Sequence, residues 1–223
     1  MTYTARMATS RARVIGLTGG IGTGKSRVAD LLRALGAAVE CSDLIVRELQ
    51  APGGRALGAI ADTFGAEYLT SEGALDRPKL GQLVFADPAA RRKLNDIIHP
   101  LVFLELSERL KRHAQAGAPV IVLDIPLLLE GRRAGRGSGA GIPFDEIVVV
   151  YADEATQIAR VMARDGLSRA DAEARVRAQM PIEEKRAMAD TVIDNSGAWE
   201  GTERAVRELW VRWLRERAES ART

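Results

Sequence analysis

The chain has 223 residues, with 32 lysines and arginines against 30 aspartates and glutamates and a formal net charge of +2. That balance excludes the broad basic field on which sequence-independent nucleic-acid binding depends, so nucleic acid is not expected as a partner and any basic function must be local. The single cysteine, Cys41, rules out an intrachain disulfide and suits a cytoplasmic protein, and the longest apolar run, Pro119 to Leu129, is broken by Asp124 and Pro126 far short of a membrane span.

In chain order, residues 1–12 carry arginines but no following apolar segment, and read as a disordered tail rather than a secretory signal. Val14-Ile15-Gly16-Leu17 then reads as a short buried strand and Val28 to Leu35 as a helix. Between them lies Gly19-Gly20-Ile21-Gly22-Thr23-Gly24-Lys25-Ser26, an unbroken G-x-x-x-x-G-K-[ST] in the strand-to-helix setting that motif requires. Its glycines let successive backbone N–H groups turn toward one point at a helix N-terminus, which is a site for an anion. Lys25 is expected to reach the β- and γ-phosphates of ATP, and the Ser26 hydroxyl to ligate Mg²⁺.

Ala37-Ala38-Val39 predicts a second strand that delivers Glu40-Cys41-Ser42-Asp43 at its carboxyl end, where ligands of open α/β sheets bind. Two readings of Asp43 stay open on local sequence: a general base that accepts a hydroxyl proton, or the N-cap of a helix starting at Leu44. Cys41 is expected to be a small buried hydrophobe rather than a reactive thiol. From residue 44 to 116 the periodicity is helical, predicting an insertion between strands. Within it, Arg91-Arg92-Lys93 reads as a solvated helix face, and His99, before Pro100, as a structural or capping residue.

Val120-Ile121-Val122-Leu123-Asp124 is the clearest buried strand; its terminal acid either holds magnesium or caps the next turn. The Gly131 to Gly141 stretch, with three arginines, is a mobile substrate clamp or a surface insertion, and we favour the insertion. Ile147 to Tyr151 is another strand, followed by Asp153 as a cap for a helix bearing Arg160 and Arg164 on one face. Ser168 and Asp171 open a further helix bearing Arg175 and Gln179, so residues 154–182 resemble an arginine-bearing lid. Asp190 to Gly197 reads as a final strand and turn, and Thr202 to Ala218 as an amphipathic helix whose stripe is Ala205, Val206, Leu209, Trp210, Trp213 and Leu214. The fold class is therefore α/β: a three-layer P-loop NTPase or kinase with a parallel sheet, a helical insertion and a lid, all in one domain spanning 1–223.

The ordered series of motifs from about Arg13 to Trp213 resembles the dephospho-CoA kinase family. It is carried by Ile15 to Ser26, Ser42-Asp43 with Pro52-Gly53, Gly73 to Arg77, His99-Pro100-Leu101-Val102, Asp124 to Glu130, and Ala189-Asp190 with Ile193 to Gly197. The resemblance implies ATP-dependent phosphorylation of the 3′-hydroxyl of dephospho-CoA, giving CoA and ADP with Mg²⁺. It further implies that Gly22, Thr23, Gly24, Lys25, Ser26 and Arg27 hold the ATP phosphates, that Asp43 activates the acceptor hydroxyl, and that Arg160 stabilises the transferring phosphoryl group. Asn195 and Gly197 are placed by it near the adenine, Arg77, His99 and Leu127 to Glu130 toward the acceptor, and Asp124 with Ser26 at the metal. No membrane or obligate protein partner is expected.

Two departures stand out. The family's usual pair of aspartates around one small residue is here Cys41-Ser42-Asp43, so the first acid is missing, and Glu40 next door points to the opposite strand face. The glycine and arginine loop after Glu130 is also longer than is usual. Other readings are a different small-molecule kinase, a kinase retired by the loss at Cys41, or a nucleotide switch; the Asn-Lys-x-Asp motif of a GTPase switch is absent.

Overall fold

The β-branched runs become strands because parallel strands are buried on both faces and select continuous apolar sequence. The computed structural model describes residues 11–137, 139 and 141–220. The expected tail lies outside the described residues except for Arg11 and Ala12, and Ala12 is already buried in the core. Among the described residues, β1 (Arg13–Gly19), β2 (Ala38–Cys41), β3 (Val120–Asp124), β4 (Glu146–Tyr151) and β5 (Thr191–Asp194) form one parallel sheet in the order β2-β3-β1-β4-β5. The chain leaves β1 for β2 on one side and β3 for β4 on the other, which opens a crevice at the carboxyl ends of β1 and β3.

The period of two in the strands sorts the core into two halves. Ile15, Leu17, Val120, Val122, Val148 and Val150 face α1 (Lys25–Leu35) and α10 (Trp199–Ser220). Val14, Ile121, Leu123, Ile147 and Val149 face the opposite layer. That layer is built from α2 (Ser42–Leu49), α3 (Leu57–Phe64), α4 (Arg77–Ala86), α5 (Pro88–Gln115), α6 (Leu128–Arg133) and α9 (Ile182–Ala187). The three layers expected from the sequence are present. The remaining helices, α7 (Glu154–Asp165) and α8 (Arg169–Arg177), pack on each other through Ile158, Val161 and Ala172 beside the phosphate loop. Asp153 caps α7 and Ser168 caps α8, as their sequence patterns required.

Several local expectations are corrected. Helix α2 begins at Ser42 with Cys41 as its N-cap residue, so Asp43 sits in the first turn and is not the cap. An acid there is favoured by the helix dipole. Pro100 does not end a helix, and His99 caps nothing: α5 runs through both over 28 residues. The lost backbone bond costs about 3 kcal/mol, and it is offset by the burial of Ile98, Val102 and Leu106 along one face. Residues 131–133 are helical, continuing α6. Helix α10 starts at Trp199 rather than Thr202, and its stripe is narrower than expected, with Leu214 36% exposed. The Arg91-Arg92-Lys93 run is exposed, as expected.

Candidate active site

The phosphate loop is shaped by positions only glycine tolerates. Gly22 and Gly24 have φ of 79° and 84°, and a Cβ on Gly22 would stand 2.6 Å from the Gln157 carbonyl oxygen. The loop is clasped from outside as well. Ile21 N donates to Gln179 Oε1 at 2.8 Å, Asn195 Nδ2 to Thr23 O at 2.7 Å, and Thr23 Oγ1 to Gly20 O at 2.9 Å. Gln157, which packs against the loop, is itself held by donating to Ala152 O at 2.9 Å. These bonds leave the outward N–H groups of the loop directed at a cavity of about 550 Å³ lined by Gly20, Lys25, Asp43, Arg160 and Arg164.

Lys25, at the start of α1, forms an ion pair with Asp124 at the end of β3. Asp124 is 4% exposed, and burial raises its pKa above the usual carboxylate value against the lowering effect of Lys25; the charge of Asp43 adds to the rise. It does not cap the following helix, whose N-cap residue is Leu127 with no side-chain cap bond. A buried carboxylate whose single cation falls short of compensating it is a site suited to additional positive charge. The described residues contain no cluster of three or more metal-ligating side chains. The donors in question, the Asp124 carboxylate and the Ser26 hydroxyl, are of the hard oxygen type that suits a Mg²⁺ ion arriving on phosphates with much of its water, not a caged metal.

A second cavity, of about 430 Å³, adjoins the first. Its lining includes Asp43, Asn95, His99, Leu127, Glu130 and Arg136. Asp43 and Pro126 belong to both cavities, so the Asp43 carboxylate stands where the two meet. Burial lowers the His99 pKa, the charge of Arg136 adding to the effect against that of Asp96. Arg136, which is exposed, and Gly137 bring the arginine-bearing loop to the wall of this cavity.

Helix α7 contributes Arg160, whose Nη2 donates to Asn195 O at 2.8 Å and whose Nη1 lies 3.4 Å from Gly22 O. Arg164 reaches the cavity rim while paired with Asp165, and Arg175 is turned onto the same Asp165 at 2.9 Å.

Arg77 is exposed on α4, outside the lining of the second cavity, and donates to Arg47 O at 2.9 Å. Asn195 is buried with its side chain committed to the loop, its Oδ1 accepting from Thr202 Oγ1 at 2.9 Å, so its amide is not free to read a base. Gly197 lies in the exposed turn after β5. The Arg27 guanidinium stacks 3.8 Å from the Trp199 ring centroid rather than resting among the loop N–H groups. Cys41 is half-buried and in register with Asp124 across the β2–β3 pair. Glu40 does not replace the missing acid, because Arg109 and His113 hold it at 2.9 and 2.6 Å. Burial acts to raise its pKa, but those two partners carry it below the ordinary value.

Sequence reading missed Lys185 and Gln157, both buried. Lys185 sits within Glu183-Glu184-Lys185-Arg186, which looks like an exposed charge run, and only its i,i+3 spacing from the apolar Ile182 hinted at an inward face.

A phosphate loop on a five-stranded parallel sheet, with a carboxylate between a phosphate cavity and a second cavity, defines a P-loop phosphotransferase acting on a small acceptor. The family model for dephospho-CoA kinase matches residues 13–200. The chain is 51% identical over 186 residues to the dephospho-CoA kinase of Anaeromyxobacter dehalogenans, covering 83% of this chain and 85% of that one. It is 45% identical over 200 residues to that of Carboxydothermus hydrogenoformans, covering 90% and 94%. Among solved structures, TT1252 from Thermus thermophilus superposes with a TM-score of 0.73 at 38% identity, over 91% of this chain and 98% of that one. This chain belongs to the dephospho-CoA kinase family.

Proposed function

We propose that the protein transfers the γ-phosphoryl group of ATP to the 3′-hydroxyl of dephospho-CoA, releasing CoA and ADP. The observation that carries this reading is the position of Asp43 at the junction of the two cavities. A hydroxyl held in the second cavity can there give its proton to a carboxylate while its oxygen faces the phosphate cradle. The new bond joins that oxygen to the γ-phosphorus, the bond from γ-phosphorus to the β,γ-bridging oxygen breaks, and ADP leaves with the electron pair.

Gly22, Thr23, Gly24 and Ser26 bind the phosphates through backbone N–H groups, and Lys25 shifts from Asp124 to the β- and γ-oxygens. Arg160 meets the charge that builds on the transferring group. His99, Leu127 and Glu130 orient the acceptor, residues 44–116 form its wall, and residues 154–182 act as a lid that excludes water. Ser26 and Asp124 would hold Mg²⁺, which when bound neutralises charge on the β- and γ-phosphates. No helix among the described residues is long and apolar enough to cross a membrane, and we place the reaction in the cytoplasm, with no protein partner required.

The test is ADP release by the purified protein with ATP and Mg²⁺, with and without dephospho-CoA, while CoA is followed by mass. Acceptor-dependent ADP with equal CoA is expected. Bound ATP without CoA would mean another acceptor or a retired site.

A further inference from the structure

Lys185, in α9, is fully buried and plays no part in the chemistry above. Its ammonium donates to Gly19 O at 3.3 Å, to Pro126 O at 3.1 Å and to Glu130 Oε1 at 2.8 Å. Three acceptors match three N–H bonds, an arrangement filled only by the protonated form. Burial nevertheless lowers its pKa, the charge of Lys25 acting in the same direction against the pull of Glu130. Holding a cation away from solvent costs several kcal/mol even when it is paired, and an apolar side chain could fill the same space at less cost.

The three partners share a location. Gly19 opens the phosphate loop, Pro126 lies in the wall common to both cavities, and Glu130 lines the acceptor cavity. Pro126 O also accepts from Thr18 Oγ1 at 3.0 Å, so β1 is tied to the same point. Glu130 Oε1 additionally accepts from Met180 N at 3.1 Å, next to the Gln179 that clasps Ile21. Its other oxygen, Oε2, is buried with no hydrogen-bond partner. One end of this carboxylate is doubly bonded and the other is short of a donor, which a small rotation of the group would offer to the cavity.

We infer that Lys185 is a positioning residue that couples occupancy of the acceptor cavity to the geometry of the phosphate loop, with Glu130 receiving an N–H or O–H donor of the acceptor nucleoside. When a ligand donor draws the Glu130 carboxylate, the shared Lys185 proton and the carbonyls of Gly19 and Pro126 readjust with it. By linkage, a filled phosphate loop must favour the acceptor to the same degree. The inference rests on the acceptor reading given above.

The experiment is calorimetric titration with a non-hydrolysable ATP analogue, with and without saturating dephospho-CoA. For the unaltered protein the acceptor is expected to tighten the analogue about tenfold. The double variant K185M/E130L removes both charges together and leaves no buried ion unpaired. At a dephospho-CoA concentration that direct titration shows to saturate the variant, its ratio is expected to fall below about two, with analogue affinity in the absence of acceptor within about threefold of the unaltered protein. E130Q keeps the shape and one bond to Lys185, and serves if the double variant does not fold; its ratio is expected to drop at least about threefold. A merely structural role would lower the melting temperature and leave the ratio unchanged, which overturns the inference, as does an unaltered protein with no coupling. Direct titration with dephospho-CoA separates the two readings: no binding at all refutes the acceptor assignment, whereas binding without coupling refutes only the role of Lys185.

Discussion

Asp124 and Glu146 are buried acids at opposite ends of the same sheet, and their surroundings push them in opposite directions. Glu146 opens β4 at 5% exposed. Its two oxygens accept from Thr191 Oγ1 at 2.6 Å, Arg212 Nη2 at 2.5 Å, Trp213 Nε1 at 2.8 Å and Arg13 Nη2 at 3.3 Å. Burial acts to raise its pKa, but these donors carry it below the ordinary value. Asp124 closes β3, has Lys25 as its partner, and burial wins, leaving its pKa raised. The acid at the amino end of the sheet gathers four donors, whereas the acid at the carboxyl end is paired with Lys25 and keeps a shortfall of positive charge that a metal ion can fill. Function here is located where folding leaves charges under-compensated.

Four measurements break or sharpen that contrast. The largest effect is expected at the carboxyl end: Lys25→Ala should lower acceptor-dependent ADP release about 10³-fold, because it removes a preorganised charge from the transferring group. Near-normal turnover would end the assignment of the phosphate loop. Asp43→Asn should reduce kcat about 10²-fold while the affinity for an ATP analogue stays within about twofold, since it removes the base and spares the cradle. Collapse of nucleotide binding instead would make Asp43 a structural or metal-holding group.

The third measurement sets the two acids against each other. Glu146→Gln should lose about 2 kcal/mol, seen as a melting temperature lower by about 6 °C, with activity retained. Asp124→Asn should change stability by less than about 1 kcal/mol and cut activity about tenfold, because it removes a charge that burial disfavours. The acid limb of a urea-unfolding series separates them further. Glu146, whose folded pKa is depressed, contributes stability that is present above its unfolded value near 4.5 and is lost as pH falls through the folded value. Asp124, with a raised pKa, opposes folding once ionised, and that opposition is relieved as pH falls through its folded value. The Glu146→Gln variant should therefore show a shallower fall in stability below about pH 4.5; an unchanged slope would remove Glu146 from the explanation.

The smallest effect concerns Cys41, in register with Asp124. Cys41→Asp adds a carboxylate to the deficient end and should lower the Mg²⁺ concentration for half-maximal activity about threefold, with kcat within about twofold. No change in Mg²⁺ dependence would show that the residue at this position does not face the metal.

The phosphate loop was legible in sequence because its chemistry depends on contiguous backbone: glycine spacing, one lysine and one hydroxyl are meaningful without knowledge of the rest of the chain. The strands were legible for a related reason, since burial on both faces leaves uninterrupted apolar runs such as Val120 to Leu123. Asp43 was visible as a candidate from its place after a strand, but not which of two roles it could take. The start of α2 at Ser42 removes the cap, and the two cavities that share Asp43, 81 residues before Asp124 in sequence, support the proposal of a base.

What local pattern could not decide was the direction in which polar side chains turn. Asn195 braces Thr23, Arg77 holds Arg47, and Lys185, which lies in a charged run, is buried beneath the loop. His99 was read as a structural or capping residue, yet α5 continues through it and Pro100 because the burial of its apolar face outweighs one lost backbone bond. By itself, then, the sequence determined the phosphate chemistry and the layered fold, both written in contiguous or periodic residues. The pairing of Lys25 with Asp124, of Lys185 with Glu130 and of Asn195 with the loop joins residues far apart in the chain. Those contacts were decided by the tertiary structure, since whether a charge is paired or exposed depends on neighbours that only folding brings together.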